Sequence, residues 1–550
     1  MKRRQIAPTT RTFLTVLVGV TKVQDWTKNT ALLKRVHAVY QQCLSHFENL
    51  RHKNPHHPDL IPWPINAYIK VLGNAKMWHQ IFDVFWSMKD YAPPDETTYA
   101  IMLQLLQSRT NLKNQFCKLD SSLDEEIAKW EDAHGVVEGE QLASARSEED
   151  IPGSGNVNNA EDEVPSEEQV DDRNAQDART IWDTLVKCAK APGSIGATVC
   201  VNGYHVEAML RLMARGGPEE QRFGFNIVRT FLPPLRLSGE KKVKEKAKDI
   251  PPNTVEINKY TLGAALELCS LSGKPGAAIE FFRIVTDPRE KSELWKVLDE
   301  EHMMYIFKAY ADVISSHGVL SDGREAVAVL EWMVRCVKEK GQTQLIPSMR
   351  HCMYVLTAAA NGGDISSALR VYEFMTGHQR GEFMDGAPPP KRRPDCSILG
   401  PEVKLRWNYY CMDQLIKAAS VAHSVQYMRV ALRILAYYPP DAFLGYAPPS
   451  LEPRQRLATR KELAIRVLRG CQDVFGRNGG SWNAEVTKWT AIERRATEEK
   501  EEVERLEAAL DEEEENAKAE EEAPSQESLV QRLVWVEGAK KDWNVESRAV

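Results

Sequence analysis

The sequence predicts an all-α chain built as an α-solenoid of helix-turn-helix repeats, with a disordered acidic insert and a long charged C-terminal helix. Three observations predict it. Between Pro64 and Tyr99, Ile65, Tyr68, Ile69 and Leu72 recur at helical spacing, and after a polar break at Gly73–Lys76 so do Ile81, Val84, Phe85 and Met88. One such hairpin is too short to bury both apolar stripes, so it needs copies of itself on either side. The chain has 550 residues, more than one hydrophobic core usually supports, and the same unit recurs along it. Finally, the acidity is segregated. Residues 120–177 hold 19 acidic and 3 basic residues and residues 493–522 hold 15 and 5, which leaves +19 on the remainder of a chain whose formal charge is −7. A basic body of that kind attracts a polyanion.

Taken in order, N-terminal repeats occupy residues 8–112. Lys2, Arg3, Arg4, Arg11 and Lys22, with no acid before Asp25, have the composition of a mitochondrial presequence. The run from Pro8 to Val20 also reads as the first helix of a repeat, with Val36, Val39, Tyr40 and Cys43 as the stripe of its second helix. The repeat reading is preferred, and on it the chain starts inside an array whose targeting segment lies elsewhere. A third repeat opens at Glu96–Leu106, and its second helix resumes far downstream, where Ala178, Ile181, Trp182 and Leu185 reproduce the spacing of Ile81, Val84, Phe85 and Met88. Residues 113–176 therefore form an insert within one repeat, too poor in apolar surface to offset its ordering entropy.

The array continues over 177–438. Its hairpins are Tyr204–Met213 with Phe225, Ile227, Val228 and Phe231; Tyr260–Cys269 with Ala278, Phe281, Phe282 and Val285; and Met303–Val313 with Ala326, Val329, Leu330 and Met333. They continue with His351–Ala360 and Ala368–Met375 around a Gly362-Gly363-Asp364 turn, and end with Trp407–Ala419 and Val425–Leu435. A Pro-bounded connector between the first two carries Lys241, Lys242, Lys244, Lys246 and Lys248, a plausible phosphate contact beside a basic face. Residues 439–481 hold a capping helix, Gln455–Phe475, of the kind a solenoid needs at its end. Residues 482–550 are a charged helix and acidic tail. Val503, Leu506 and Leu510 are too few apolar points for a sustained coiled coil.

No arrangement asks to be read as an active site. GxSxG, HExxH, Walker and GxGxxG patterns are all missing from the sequence, and the ten cysteines are scattered without a CxxC pair. His52, His56 and His57 sit among prolines in a connector. The expectation is a non-enzyme with no cofactor, no metal, no small-molecule substrate and no membrane span.

Pro94-Asp95 followed by Thr98-Tyr99, with Ala, Leu, Phe and Met down the second helices, resembles the pentatricopeptide repeat. The resemblance covers roughly residues 8–435. It implies a right-handed superhelix whose first helices line a groove for single-stranded RNA, with side chains at the fifth and last positions of each repeat reading one base. In the second repeat these are Asn66 and Asp95, a pair the family associates with uracil. Leu14, Ala100 and Met353 at other fifth positions make no such bonds, so binding is expected to rest on phosphate contacts and shape. The same residue types at Asn66 and Asp95 also suit a helix cap and an inter-repeat turn. Tyr99, Phe85, Trp182 and Trp332 read as inter-repeat core. The family implies a role in mitochondrial RNA maturation or translation in the matrix, with ribosomal RNA and mitochondrial ribosome proteins among the partners. The alternative is a protein-binding scaffold of the tetratricopeptide kind in organelle complex assembly, although that family's Trp-Leu-Gly and Ala-Phe-Pro spacing is missing.

Overall fold

The computed structural model describes residues 8–23, 26, 28–109, 167–190, 199–235, 254–287, 293–317, 321–384, 407–438, 453–476 and 487–495, with scattered positions between 386 and 405 and between 497 and 505. These residues are all-helical, with no strand among them, and no described helix is long and apolar enough to cross a membrane. The chain divides into two compact units. One comprises residues 1–309 with 343–345, the other 310–342 with 346–550.

The first unit is a series of helical hairpins: α1 (Thr10–Val20) with α2 (Thr30–Lys53), α3 (Trp63–Asn74) with α4 (Trp78–Ser87), and α5 (Glu96–Arg109) with α6 (Glu167–Lys190). Then come α7 (Gly203–Arg215) with α8 (Pro218–Phe231) and α9 (Lys259–Leu271) with α10 (Pro275–Thr286), and α11 (Glu300–His317) begins here. The first helix of each hairpin also packs on the first helix of the next, α1 on α3, α3 on α5, α5 on α7 and α7 on α9. The apolar stripes are what they bury. Ile65, Tyr68, Ile69 and Leu72 on α3 and Ile81, Val84, Phe85 and Met88 beside it are all buried, as are Val36, Tyr40 and Cys43 on α2. Tyr40 and Tyr68 stack at 3.9 Å between ring centroids.

The helix that completes the third hairpin arrives after a long excursion of chain. Ala178, Ile181, Trp182 and Leu185 of α6 are buried, Arg109 pairs with Asp177 at 3.4 Å, and the Tyr99 hydroxyl lies 3.5 Å from the Cys188 sulfur. The helix starts at Glu167, so it takes in the last ten residues of the segment expected to be insert. Ala175 is buried there, and the apolar stripe simply begins earlier than the acidic composition suggests. Residues 113–166 of that expected insert lie outside the described residues.

A recurrent cap sets where six of the first helices start. The backbone N–H of Thr9, Asp95, Asn202, Asn258, Asp299 and Ser348 is accepted by the side chain three residues on: Thr12, Thr98, His205, Thr261, His302 and His351, at 3.0–3.3 Å. The cap side chains return the bond to backbone N–H groups of the first turn, as Asn202 does to Tyr204 and His205. The N3 residue usually expected in such a box is Glu or Gln; here it is Thr or His.

In the second unit, α12 (Ser321–Lys340) packs on α13 (Met349–Asn361), which pairs with α14 (Ile365–Thr376). α15 (Tyr409–Val421) pairs with α16 (Val425–Tyr437), and α17 (Pro453–Phe475) packs on both. The α13–α14 turn needs Gly363 at φ +66°. Of the charged segment after residue 482, residues 487–495 are helical with Trp489 buried. The part beyond residue 505 lies outside the described residues.

Candidate nucleic-acid interface

In the first unit, the N-terminal turns of two pairs of first helices are tied together. His205 Nε2 on α7 lies 2.8 Å from the Glu96 carbonyl oxygen on α5, and His302 Nε2 on α11 lies 2.8 Å from that of Lys259 on α9. Lys259 also pairs with Asp299 at 3.2 Å. Farther down, Gln107 Nε2 donates to the Ala208 carbonyl oxygen at 3.0 Å. On α7 the N3 side chain, His205, is turned onto the preceding helix, and the N2 residue, Tyr204, points outward. On α9 the N2 residue is Tyr260, and on α3, which has no such cap, Trp63 stands at N1.

Large rings near the starts of three of the first helices stand in solvent. Trp63 on α3 is 53% exposed, Tyr204 on α7 72% and Tyr260 on α9 53%. Seven residues on, two turns and about 10 Å along the same face, stand Lys70, Arg211 and Glu267. On α5, between α3 and α7, the corresponding residues are Thr97 and Gln104, both exposed. On α3 and α7 the face thus offers an aromatic surface at one level and a cation at the next. This is a pairing suited to a single strand, whose bases stack and whose phosphates seek positive charge.

Glu267 modulates that face. It is buried and lies 3.0 Å from Arg211 and 3.9 Å from Arg215, while Arg211 is also 3.3 Å from Glu207. Burial raises the Glu267 pKa, and the two guanidinium groups oppose the rise. The α7–α9 stretch is therefore of mixed charge. On α11, Lys308 Nζ donates to the Ser270 hydroxyl at 3.0 Å.

Asn66 and Asp95 do come together. Asn66 Nδ2 donates to Asp95 Oδ1 at 3.3 Å, and the Thr98 hydroxyl stands 2.8 Å from Asn66 Oδ1 and 2.7 Å from Asp95 Oδ1, sharing one proton between them. Asp95 Oδ1 also caps α5 by accepting the Thr98 backbone N–H at 2.8 Å. Asn66 is only 4% exposed, so the pair serves as a cap and an inter-helix clasp. Lys241, Lys242, Lys244 and Lys246 lie outside the described residues. Tyr99, Phe85 and Trp182 are core, and Trp332 is half-buried.

Sequence reasoning missed Trp63, Tyr204 and Tyr260, since it counted Tyr204 and Tyr260 among the apolar runs of their helices. The seven-residue interval to Lys70 and Arg211 was the available signal. Phe225, counted as core, is half-buried instead, beneath the Lys274 ammonium at 4.0 Å from its ring centroid.

Among the described residues, no cluster of three or more His, Cys, Asp or Glu is arranged to hold a metal. Fold and face define a class, an all-α chain of repeat-like helical hairpins, two of which present an aromatic ring and a cation in register. No protein-family model matches the chain, and no curated protein matches it.

Proposed function

We propose that this chain is a non-catalytic RNA-binding protein of the pentatricopeptide kind, an α-solenoid acting in mitochondrial RNA maturation or translation. The observation that supports this most is the register of Trp63 with Lys70 on α3 and of Tyr204 with Arg211 on α7, the next first helix but one. Bases stack on the rings and phosphates meet the cations, so affinity comes from stacking and charge and discriminates weakly among bases. Base reading by Asn66 and Asp95 requires them to give up bonds to Thr98, which makes uracil recognition there a secondary contribution. A structured target such as ribosomal RNA suits a body of this kind, with proteins of the mitochondrial ribosome as neighbours. The matrix location is supported by the family resemblance.

Crosslinking of bound RNA in cells followed by sequencing tests the proposal, with filter binding at two salt concentrations as its check. Recovery of transcripts with salt-sensitive binding supports it, and absence of RNA overturns it.

The Arg211–Glu267–Arg215 group favours a second reading locally. A face neutralised by its own ion pairs, with Leu271 exposed nearby, also suits a protein segment. On that reading the chain is a helical scaffold in organelle complex assembly.

A further inference from the structure

We propose that Lys417 and Arg466, in the second unit, form a phosphate-binding site for the backbone of a polynucleotide strand; this deepens the RNA reading above and rests on it. Asp413 and Lys417 lie one turn apart on α15, the spacing at which an acid and a base ordinarily pair on a helix surface. Here they have other partners. Asp413 Oδ1 accepts from Arg466 Nε of α17 at 2.9 Å, and its Oδ2 accepts from Gln414 Nε2 at 3.2 Å. Lys417 Nζ donates at 2.7 Å to Asn361 Oδ1 on α13, a neutral acceptor whose own Nδ2 donates to the Ala311 carbonyl at 3.2 Å.

Asp413 is thus taken up by Arg466, and Lys417, one turn away, has a neutral acceptor in place of a carboxylate. Lys417 is half-buried, and its pKa is lowered by burial and by the Arg466 charge, with Asp413 opposing. An ammonium has three donors and a guanidinium five, so these hydrogen bonds leave donors on both groups for an incoming anion. Such an anion relieves the repulsion between them.

The surroundings favour a nucleic-acid phosphate over a carboxylate. Tyr410 stands seven residues before Lys417 on the same face of α15, repeating the relation of Tyr204 to Arg211, and its hydroxyl is held 3.0 Å from Thr357 Oγ1. The half-buried ring and the ammonium are again about two turns apart. Arg466 differs from the other cations in coming from α17, the helix that follows the last hairpin.

The test uses the full chain and a labelled single-stranded RNA of mixed sequence, with affinity followed by fluorescence anisotropy over a salt series. Lys417→Gln is expected to flatten the dependence of log affinity on log salt by about 0.7, the contribution of one single-strand phosphate contact, and Lys417→Arg to restore it. An unchanged slope in Lys417→Gln, while Trp63→Ala weakens binding, overturns the site and leaves the RNA reading in place. If the wild-type chain binds no RNA, the RNA reading falls, and amine acylation read by mass spectrometry decides the site separately. Protection of Lys417 by inorganic tripolyphosphate, relative to exposed Lys89, supports it; equal labelling with and without that probe overturns it.

Discussion

His205 on α7 presents Nε2 at 2.8 Å to the carbonyl oxygen of Glu96, the first residue of α5, while its Nδ1 lies 3.2 Å from the Asn202 backbone nitrogen. The second contact requires Nδ1 to accept, so the proton sits on Nε2 and donates to Glu96. One neutral imidazole therefore caps its own helix and clasps the neighbouring one. Burial lowers its pKa, and the Glu96 carbonyl and carboxylate oppose the fall. The folded value is thus below the ordinary one near 6.5. The stabilisation from the neutral ring is complete above the unfolded pKa and is lost as pH drops through the folded one. Hydrogen–deuterium exchange across residues 202–206 is expected to speed up as pH is lowered from about 6.5, after correction for intrinsic exchange, and His205→Gln is expected to remove that dependence.

Asp299 behaves in the opposite sense to a buried, unpaired acid. Burial pushes its carboxyl upward, but the electrostatic influence of His302, the His302 backbone N–H and Lys259 together outweigh this, and its pKa is lowered. Its contribution is present above the unfolded carboxylate value and disappears as pH falls through the folded one. Asp299→Asn keeps an N-cap acceptor, so the expected cost is about 0.5–1 kcal/mol at neutral pH, shrinking in acid. Urea unfolding at pH 7 and pH 3.5 measures the difference.

The Asn66–Asp95–Thr98 clasp is expected to behave as one energetic unit. Asn66→Ala and Thr98→Val should each destabilise by about 1–2 kcal/mol. The double variant should lose less than their sum, since either change removes the shared bond. A thermal-denaturation cycle tests this, and full additivity would contradict the geometry.

Stacking predicts that Trp63→Ala and Tyr204→Ala lower RNA affinity by about 1–3 kcal/mol each, with melting behaviour near wild type because both rings are exposed. Glu267→Gln acts the other way. It releases Arg211 and Arg215 and is expected to tighten RNA binding and steepen its salt dependence. Ionisation of Glu267 itself opposes folding, because its folded pKa lies above the unfolded one. Stability contributed by its neutral form is therefore lost as pH rises through that interval.

Gly363→Ala is expected to cost roughly 2 kcal/mol or more. The residue has φ +66°, and an added Cβ would come within 2.9 Å of Val421 Cγ1 and 3.3 Å of the Ala422 nitrogen. Chemical denaturation measures it, and Gly276→Ala, where an added Cβ meets nothing within 4 Å, serves as the control.

Much of the architecture was legible in residue spacing. Ala178, Ile181, Trp182 and Leu185 identified the second helix of a hairpin whose first helix ends at Arg109, because an apolar stripe keeps its period whatever chain intervenes. The beginning of that helix was less legible, since acidic residues 167–177 suit a solvated first turn as well as a loop. A cap was legible at Asp95, but those closed by His205, His302 and His351 were not, because histidine stands at N3 where Glu or Gln is the familiar signal.

By itself the sequence determined that this protein is helical, paired into hairpins and basic outside two acidic stretches. Periodicity and charge are local properties, set by neighbours a turn away. Only the tertiary structure decided which polar and aromatic groups remain available. Thr98 closes over Asn66, and Glu267 neutralises Arg211 from a helix 56 residues away, while Tyr204 faces solvent because the adjacent His205 is the residue turned onto α5. Burial and pairing depend on partners delivered from distant parts of the chain, and no spacing within one helix specifies them.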